Sequence, residues 1–185
     1  DPAPDRDPSF SADGKMLAFS SRRDGYWNLY TLNRAGVVDR VTDHPAYDGA
    51  PAWSPQGDRI AFESMRGGDL DVWLLDLDGG TPVNLTADSP DVDSGPVWAP
   101  DGDRIAFTSW RHGDADIFVL DLASGDLMQV TSLPVEERVA AWSDDDELLY
   151  VRTEGEDQEI YCRPVDAALD TDGEQLTRRQ YVDAP

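Results

Sequence analysis

Lysine is almost missing from this 185-residue chain: Lys15 stands alone, and the rest of the fifteen basic residues are arginine. A single cysteine, Cys162, excludes an internal disulfide, and with only two histidines beside it there are too few ligands for a zinc site. Cys162 falls in a strand where earlier stretches carry Thr31, Leu74 and Val119, so it reads as a small core filler. No apolar run approaches the ~18 residues that span a bilayer, so no membrane insertion is expected. The opening residues Asp-Pro-Ala-Pro-Asp lack the basic and apolar regions of a signal peptide. No stretch has the apolar period of an amphipathic helix. There is no Gly-x-Ser-x-Gly elbow and no phosphate-cradling glycine loop, and His44 and His112 stand in different loops, so the chain does not read as an enzyme.

Acid is what the chain has in excess. Asp and Glu number 38 against 15 Lys and Arg, for a formal net charge of -23. Such a surface repels phosphate backbones, which excludes nucleic acid and anionic membrane as partners. Two origins fit the composition: adaptation to high salt, where counterions screen the self-repulsion, or a genome that favours Arg and Asp codons.

The chain is built from one pattern used four times. Pro51-Ala-Trp53-Ser-Pro55-Gln-Gly57-Asp-Arg-Ile60-Ala-Phe62-Glu-Ser64-Met-Arg66 has an earlier copy from Pro8 to Arg23, a later one from Pro96 to Arg111, and a worn one from Ala140 to Tyr150. The anchoring aromatics Phe10, Trp53, Trp98 and Trp142 are 43, 45 and 44 residues apart. Each copy ends on an aliphatic residue and threonine: Val41-Thr42, Leu85-Thr86, Val130-Thr131 and Leu176-Thr177. A period of ~40 to 45 residues made only of short strands is the length of a four-stranded propeller blade. The fold expected is therefore all-β, a β-propeller or partial propeller filling 1–185, with blades at about 8–42, 51–86, 96–131 and 140–177. Turns at Asp13-Gly14, Gln56-Gly57 and Asp101-Gly102 join first to second strands; the fourth copy has lost this glycine.

This pattern, followed by an acid-aliphatic-aromatic segment and the aliphatic-Thr pair, resembles the WD-repeat-like blade of the TolB family, found also in the propellers of prolyl-oligopeptidase-type and tricorn-type peptidases. The resemblance covers nearly the whole chain. It implies a toroid of blades around a channel, binding or gating functions, and a periplasmic or other extracytoplasmic location. Relatives usually close with six to eight blades, and both ends of this chain lie at the same phase of the repeat. It thus reads as a segment of a longer array, or as a half-ring that self-associates with a second copy; a closed ring of four ranks behind these.

Three sets of residues are candidates for function. An arginine precedes an acid or amide by five residues in three copies, Arg23 with Asn28, Arg66 with Asp71 and Arg111 with Asp116, and each pair is expected to staple the loop between second and third strands. The alternative is anion capture by unpaired arginines. An acid stands five residues before each aromatic, at Asp5, Asp48, Asp93 and Glu137. In the loops entering the first strands these acids would ring one mouth of the channel, where Asp48 and Asp93 could ligate a hard cation such as calcium, or each could accept backbone N–H bonds and fix its loop. The third set breaks the repeat: Trp27 where other copies have Leu70, Ala115 and Gln158, and Trp110 where they have Arg22 and Met65. With His44, Tyr47 and His112 these residues fall in loops of the same face as the acids, as packing between blades or as a contact surface. The function expected is a non-catalytic scaffold that binds a protein or peptide at an acidic channel mouth. The alternatives are a substrate-gating propeller segment of a larger serine peptidase and a structural repeat of an envelope protein.

Overall fold

The computed structural model describes residues 3–169 and 171–177. The first blade holds β1 (Asp5–Phe10), β2 (Met16–Ser21), β3 (Asn28–Asn33) and β4 (Val38–Arg40), and the second β5 (Asp48–Trp53), β6 (Arg59–Ser64), β7 (Asp71–Asp76) and β8 (Val83–Asn84). The third holds β9 (Asp93–Trp98), β10 (Arg104–Ser109), β11 (Asp116–Asp121) and β12 (Leu127–Gln129), and the fourth β13 (Glu136–Trp142), β14 (Glu147–Glu154), β15 (Asp157–Pro164) and β16 (Glu174–Gln175). Each group of four is a separate antiparallel sheet with its strands in sequence order. The described residues include no helix.

Local chemistry sets the hairpins. Gly57 and Gly102 hold φ of 75° and 76° at the turn between first and second strands, a conformation that costs glycine nothing. In the fourth blade, where the glycine is gone, Asp146 takes the left-handed conformation instead, with φ of 61°. Every first strand is bulged. The bulge residue has positive φ at Asp7, Ala50 and Gly95, and a proline follows it each time, at Pro8, Pro51 and Pro96, where no ladder N–H is required. The bulge extends the strand backwards past the proline, so Asp5, Asp48, Asp93 and Glu137 lie inside the first strands and not in the loops leading to them.

The aliphatic-Thr pair closes each sheet. Beyond the short fourth strand the chain folds back, and the threonine Oγ1 accepts the N–H of a third-strand residue: Leu29 to Thr42, Val72 to Thr86, Ile117 to Thr131 and Ile160 to Thr177, at 2.8 to 3.1 Å.

Between blades the core is apolar and layered. Ala18 and Leu29 pack on Ile60, Phe62 and Leu75; Val72 packs on Phe107, Phe118 and Leu120; Ile117 and Val130 pack on Leu148, Tyr150 and Val165. A tryptophan stitch crosses each interface, for the indole N–H of Trp53, Trp98 and Trp142 donates to the carbonyl of Ser9, Ala52 and Val97 in the preceding blade. The first strands pack in succession, β1 on β5, β5 on β9 and β9 on β13, and no comparable packing joins β13 to β1. The four blades therefore form an open arc, which sets aside the closed ring of four.

Candidate binding face

One internal unit recurs at the end of each blade where the loops joining second to third strands lie. In the second blade Ser64 Oγ donates to Asp48 Oδ1 at 2.6 Å and accepts from Arg66 Nε at 3.0 Å, which turns the guanidinium inward so that Nη2 reaches Asp48 Oδ2 at 2.5 Å. The guanidinium also covers the rings of Phe62 and Trp73 at 5.4 and 5.1 Å. Arg23 does the same with Ser21, Asp5 and the Phe19 and Tyr30 rings, and Arg111 with Ser109, Asp93 and the Phe107 and Phe118 rings. In the fourth blade Arg152 occupies the serine position and reaches Glu137 Oε1 directly, at 2.9 Å from Nε, over the Tyr161 ring. A longer acid and a longer base meet where the serine is lost.

The arginines are thus paired, but not with the partners expected. Arg23, Arg66 and Arg111 turn to Asp5, Asp48 and Asp93, while Asn28, Asp71 and Asp116 receive the closing threonine hydroxyl and, at Asp71 and Asp116, the amide of Asn84 or Gln129. The serine between the two acids decides the pairing: Asp48 and Asp71 flank Ser64 on neighbouring strands, and the Ser64 hydroxyl faces Asp48.

The same pairing removes most of the acid ring from the surface. Asp48, Asp93 and Glu137 are 0% exposed, and only Asp5 remains accessible. Burial pushes the carboxyls of Asp93 and Glu137 up, with Ser109 and Arg111 offsetting it at the first and Arg152 at the second. Carboxylates closed off and bound to arginine are not positioned to hold calcium, and no group of three or more His, Cys, Asp or Glu suited to a metal stands among the described residues. The acidity of this face comes from its loops, where Asp24, Asp88, Asp91 and Asp114 are exposed. Both histidines serve as loop parts: the His44 Nδ1 accepts the Ala46 N–H at 3.1 Å, and the exposed His112 ring meets the edge of Phe118 at 5.6 Å.

The repeat-breaking aromatics gather around two arginines that sequence reasoning passed over. Arg6, in β1, lies 4.0 Å from the Trp27 ring and 5.1 Å from the Tyr47 ring, bringing the first and second blades together. Tyr47 donates to Glu63 Oε2 at 3.3 Å, and Glu63 Oε1 accepts the Gly95 N–H of the third blade at 2.9 Å. Burial, then the Glu63 charge, raises the Tyr47 phenol far above its ordinary value, so it stays a neutral donor. At the other end of the arc Arg138, in β13, covers the Trp110 ring of the third blade at 4.9 Å. Trp27, Tyr47 and Trp110 are all half-buried. The missed residues carry the same signal as the found ones, because Arg6 and Arg138 stand where the other copies have Gly49 and Ser94, and Glu63 where they have Ser20, Thr108 and Val151.

The model of the TolB beta propeller domain matches residues 34–185. No curated protein sequence matches the chain. Among solved structures, TolB from Acinetobacter baumannii superposes with a TM-score of 0.83 at 24% identity, over 95% of this chain and 44% of that one. A protein from Agrobacterium tumefaciens named for TolB gives 0.79 at 22% identity, over 92% of this chain and 64% of that one. A structure from a study of two prolyl endopeptidases gives 0.69 at 15%, over 97% of this chain and 29% of that one, a likeness of fold alone. The chain thus spans less than two thirds of the length of each of these structures, and by the match along most of its sequence it belongs to the TolB β-propeller domain family.

Proposed function

We propose that this arc is a non-catalytic scaffold that takes a protein or peptide partner on the face carrying Trp27, Tyr47 and Trp110, in an extracytoplasmic compartment as the family implies. The observation that carries the reading is the pair of half-buried tryptophans held by arginines from the first strands, Arg6 on Trp27 and Arg138 on Trp110. A ring clamped in this way offers an apolar surface with little side-chain entropy left to lose on binding. The exposed aspartates of the surrounding loops would steer a basic or amide-rich segment toward it. His44 and His112 flank the surface and contribute shape. The opposite face ends in small turns such as Asp78-Gly79 and Ser124-Gly125, which have little side chain to offer.

The test is to select peptides against the intact chain and map them by chemical shift. Perturbations should centre on the indoles of Trp27 and Trp110, and Trp110→Ala should weaken binding by about tenfold or more without changing the fold. Shifts centred on the Gly79 and Gly125 turns would overturn the reading. Fold likeness to a peptidase structure supports the gating alternative only as far as architecture.

A further inference from the structure

Two of the three buried side-chain atoms that lack a hydrogen-bond partner among the described residues, Glu137 Oε2 and Arg163 Nε, belong to residues lining one groove. The groove lies between the third and fourth blades and encloses about 270 Å³. Its walls are Leu133 ahead of β13, Glu137, Arg152 and Arg163 on three adjacent strands, and Leu169 and Asp172 beyond β15. We propose that this groove binds a zwitterionic α-amino acid with an apolar side chain, its carboxylate meeting Arg163 and its ammonium meeting Glu137. The site shares no residue with the tryptophan surface above and does not depend on that reading.

The groove itself is part of the repeat. A cleft of the same volume lies between the second and third blades, lined by Thr86, Arg111 and Leu120, whose places are taken in the later one by Thr131, Arg152 and Arg163. The third blade has a neighbour on both sides, so the groove is made by one blade packing on the blade before it. Arg163 sets the later groove apart. It pairs with Leu148 across the sheet as Leu32, Leu75 and Leu120 pair with Leu17, Ile60 and Ile105, so a cation occupies a position given to leucine in the other three blades. The connection between third and fourth strands is also longer here, 165–173 against 34–37, 77–82 and 122–126. That longer connection supplies Leu169 and Asp172.

The charges inside the groove select the ligand. Arg163 is 4% exposed and forms no ion pair among the described residues; its Nη2 donates to the carbonyls of Ala167 and Ala168 at 3.0 and 2.9 Å, which leaves the charge without a counterion. Arg152 is held on both sides, by Glu137 Oε1 at 2.9 Å and Asp172 Oδ1 at 2.5 Å. Burial raises the Glu137 carboxyl, and Arg152 and then Arg163 pull against it, so both cations act on the same acid. Burying a cation where leucine would pack is costly unless a charged acceptor meets it, and a staple for the loop needs no charge. A ligand must therefore offer an anionic acceptor to Arg163 and a cationic donor to Glu137 Oε2. Two arginines against two acids leave no net charge to favour an ion of either sign. An α-amino acid carries both groups on one carbon, and Leu133 and Leu169 give its side chain an apolar wall. The volume lies just below the ~300 to 1,000 Å³ of ordinary ligand pockets, which suits a single amino acid and excludes larger ligands.

Titration of the intact 185-residue chain with L-leucine, followed by its arginine Nε–H and methyl signals in NMR, tests the proposal. The Arg163 Nε–H and the Leu133 and Leu169 methyls should shift together with a dissociation constant of about 1 mM or below, while the indole N–H signals of Trp27 and Trp110 stay in place. N-acetyl-L-leucine, which lacks the ammonium, and isopentylamine, which lacks the carboxylate, should each bind at least about tenfold more weakly. Arg163→Leu restores the residue of the other blades and should abolish the shifts with the fold retained. Should that variant fail to fold, Leu169→Trp fills the groove from a position that is exposed and should abolish them as well. No shift up to about 20 mM leucine, unchanged binding in a folded variant, or equal binding of the two analogues would overturn the proposal.

Discussion

At the scale of single residues, the arginine units are interior structure. Among the described residues Arg66 is the sole salt-bridge partner of Asp48, which is fully buried. Removing the base strands a carboxylate away from water, and Arg66→Ala should lower the unfolding free energy by about 3 kcal/mol in chemical denaturation. A loss below about 1 kcal/mol would mean that water enters and solvates the acid. Asp116 makes a second prediction. Burial, then the neighbouring Glu137, pushes its carboxyl up to about 6 from an ordinary 3.8. The folded chain then holds a proton that the unfolded chain releases, so this stabilisation is complete below about pH 4 and lost as pH rises through about 6. Asp93, Glu63 and Glu137 shift in the same direction. The melting temperature should therefore be higher at pH 5.5 than at 7.5, with a smaller difference in Asp116→Asn; a melting temperature that instead falls toward pH 5.5 would contradict this. Both residue types were visible in the sequence, but the pairing was misjudged because a five-residue spacing looks local. The informative spacing was the constant 18 residues separating Asp5 from Arg23, Asp48 from Arg66 and Asp93 from Arg111, which only a hairpin brings together.

At the scale of strands and turns, most of the architecture was legible. The repeat announced an all-β fold of four-stranded antiparallel sheets, and the glycines marked the first turns. What stayed hidden is backbone geometry: the positive φ at Asp7 and Ala50 has no residue signature, and it is this bulge that draws the acids into the first strands. The stitch between blades is likewise invisible as such, because tryptophan in a propeller strand reads as core. Trp98 buries its ring and also donates to Ala52 O at 3.0 Å. Trp98→Phe keeps an aromatic ring and deletes the donor, which should cost about 1 to 2 kcal/mol in denaturant midpoint analysis. No loss would show that the indole bond adds nothing beyond packing. Phe10, at the same position of the first blade, is the natural form of this change.

At the scale of the whole molecule, charge and openness dominate. A net charge of -23 spread over a thin arc is strongly self-repelling at low ionic strength. Raising salt from dilute buffer to about 1 M shortens the screening length to about 3 Å and should raise the melting temperature by several degrees. A flat response would make codon usage the better account of the composition. The sequence could not show whether four blades close, since curvature depends on how neighbouring sheets pack; the absence of packing between β13 and β1 settles that for the described residues.

The strict sequence order of strands within every sheet bears on how the chain is made. Each blade finds all its hydrogen-bonding partners within one repeat, and the closing threonine bond spans only 13 to 17 residues. Contacts of such short range cost little loop entropy and form early. These four sheets can therefore form one blade at a time during synthesis, each new sheet docking on the one before it.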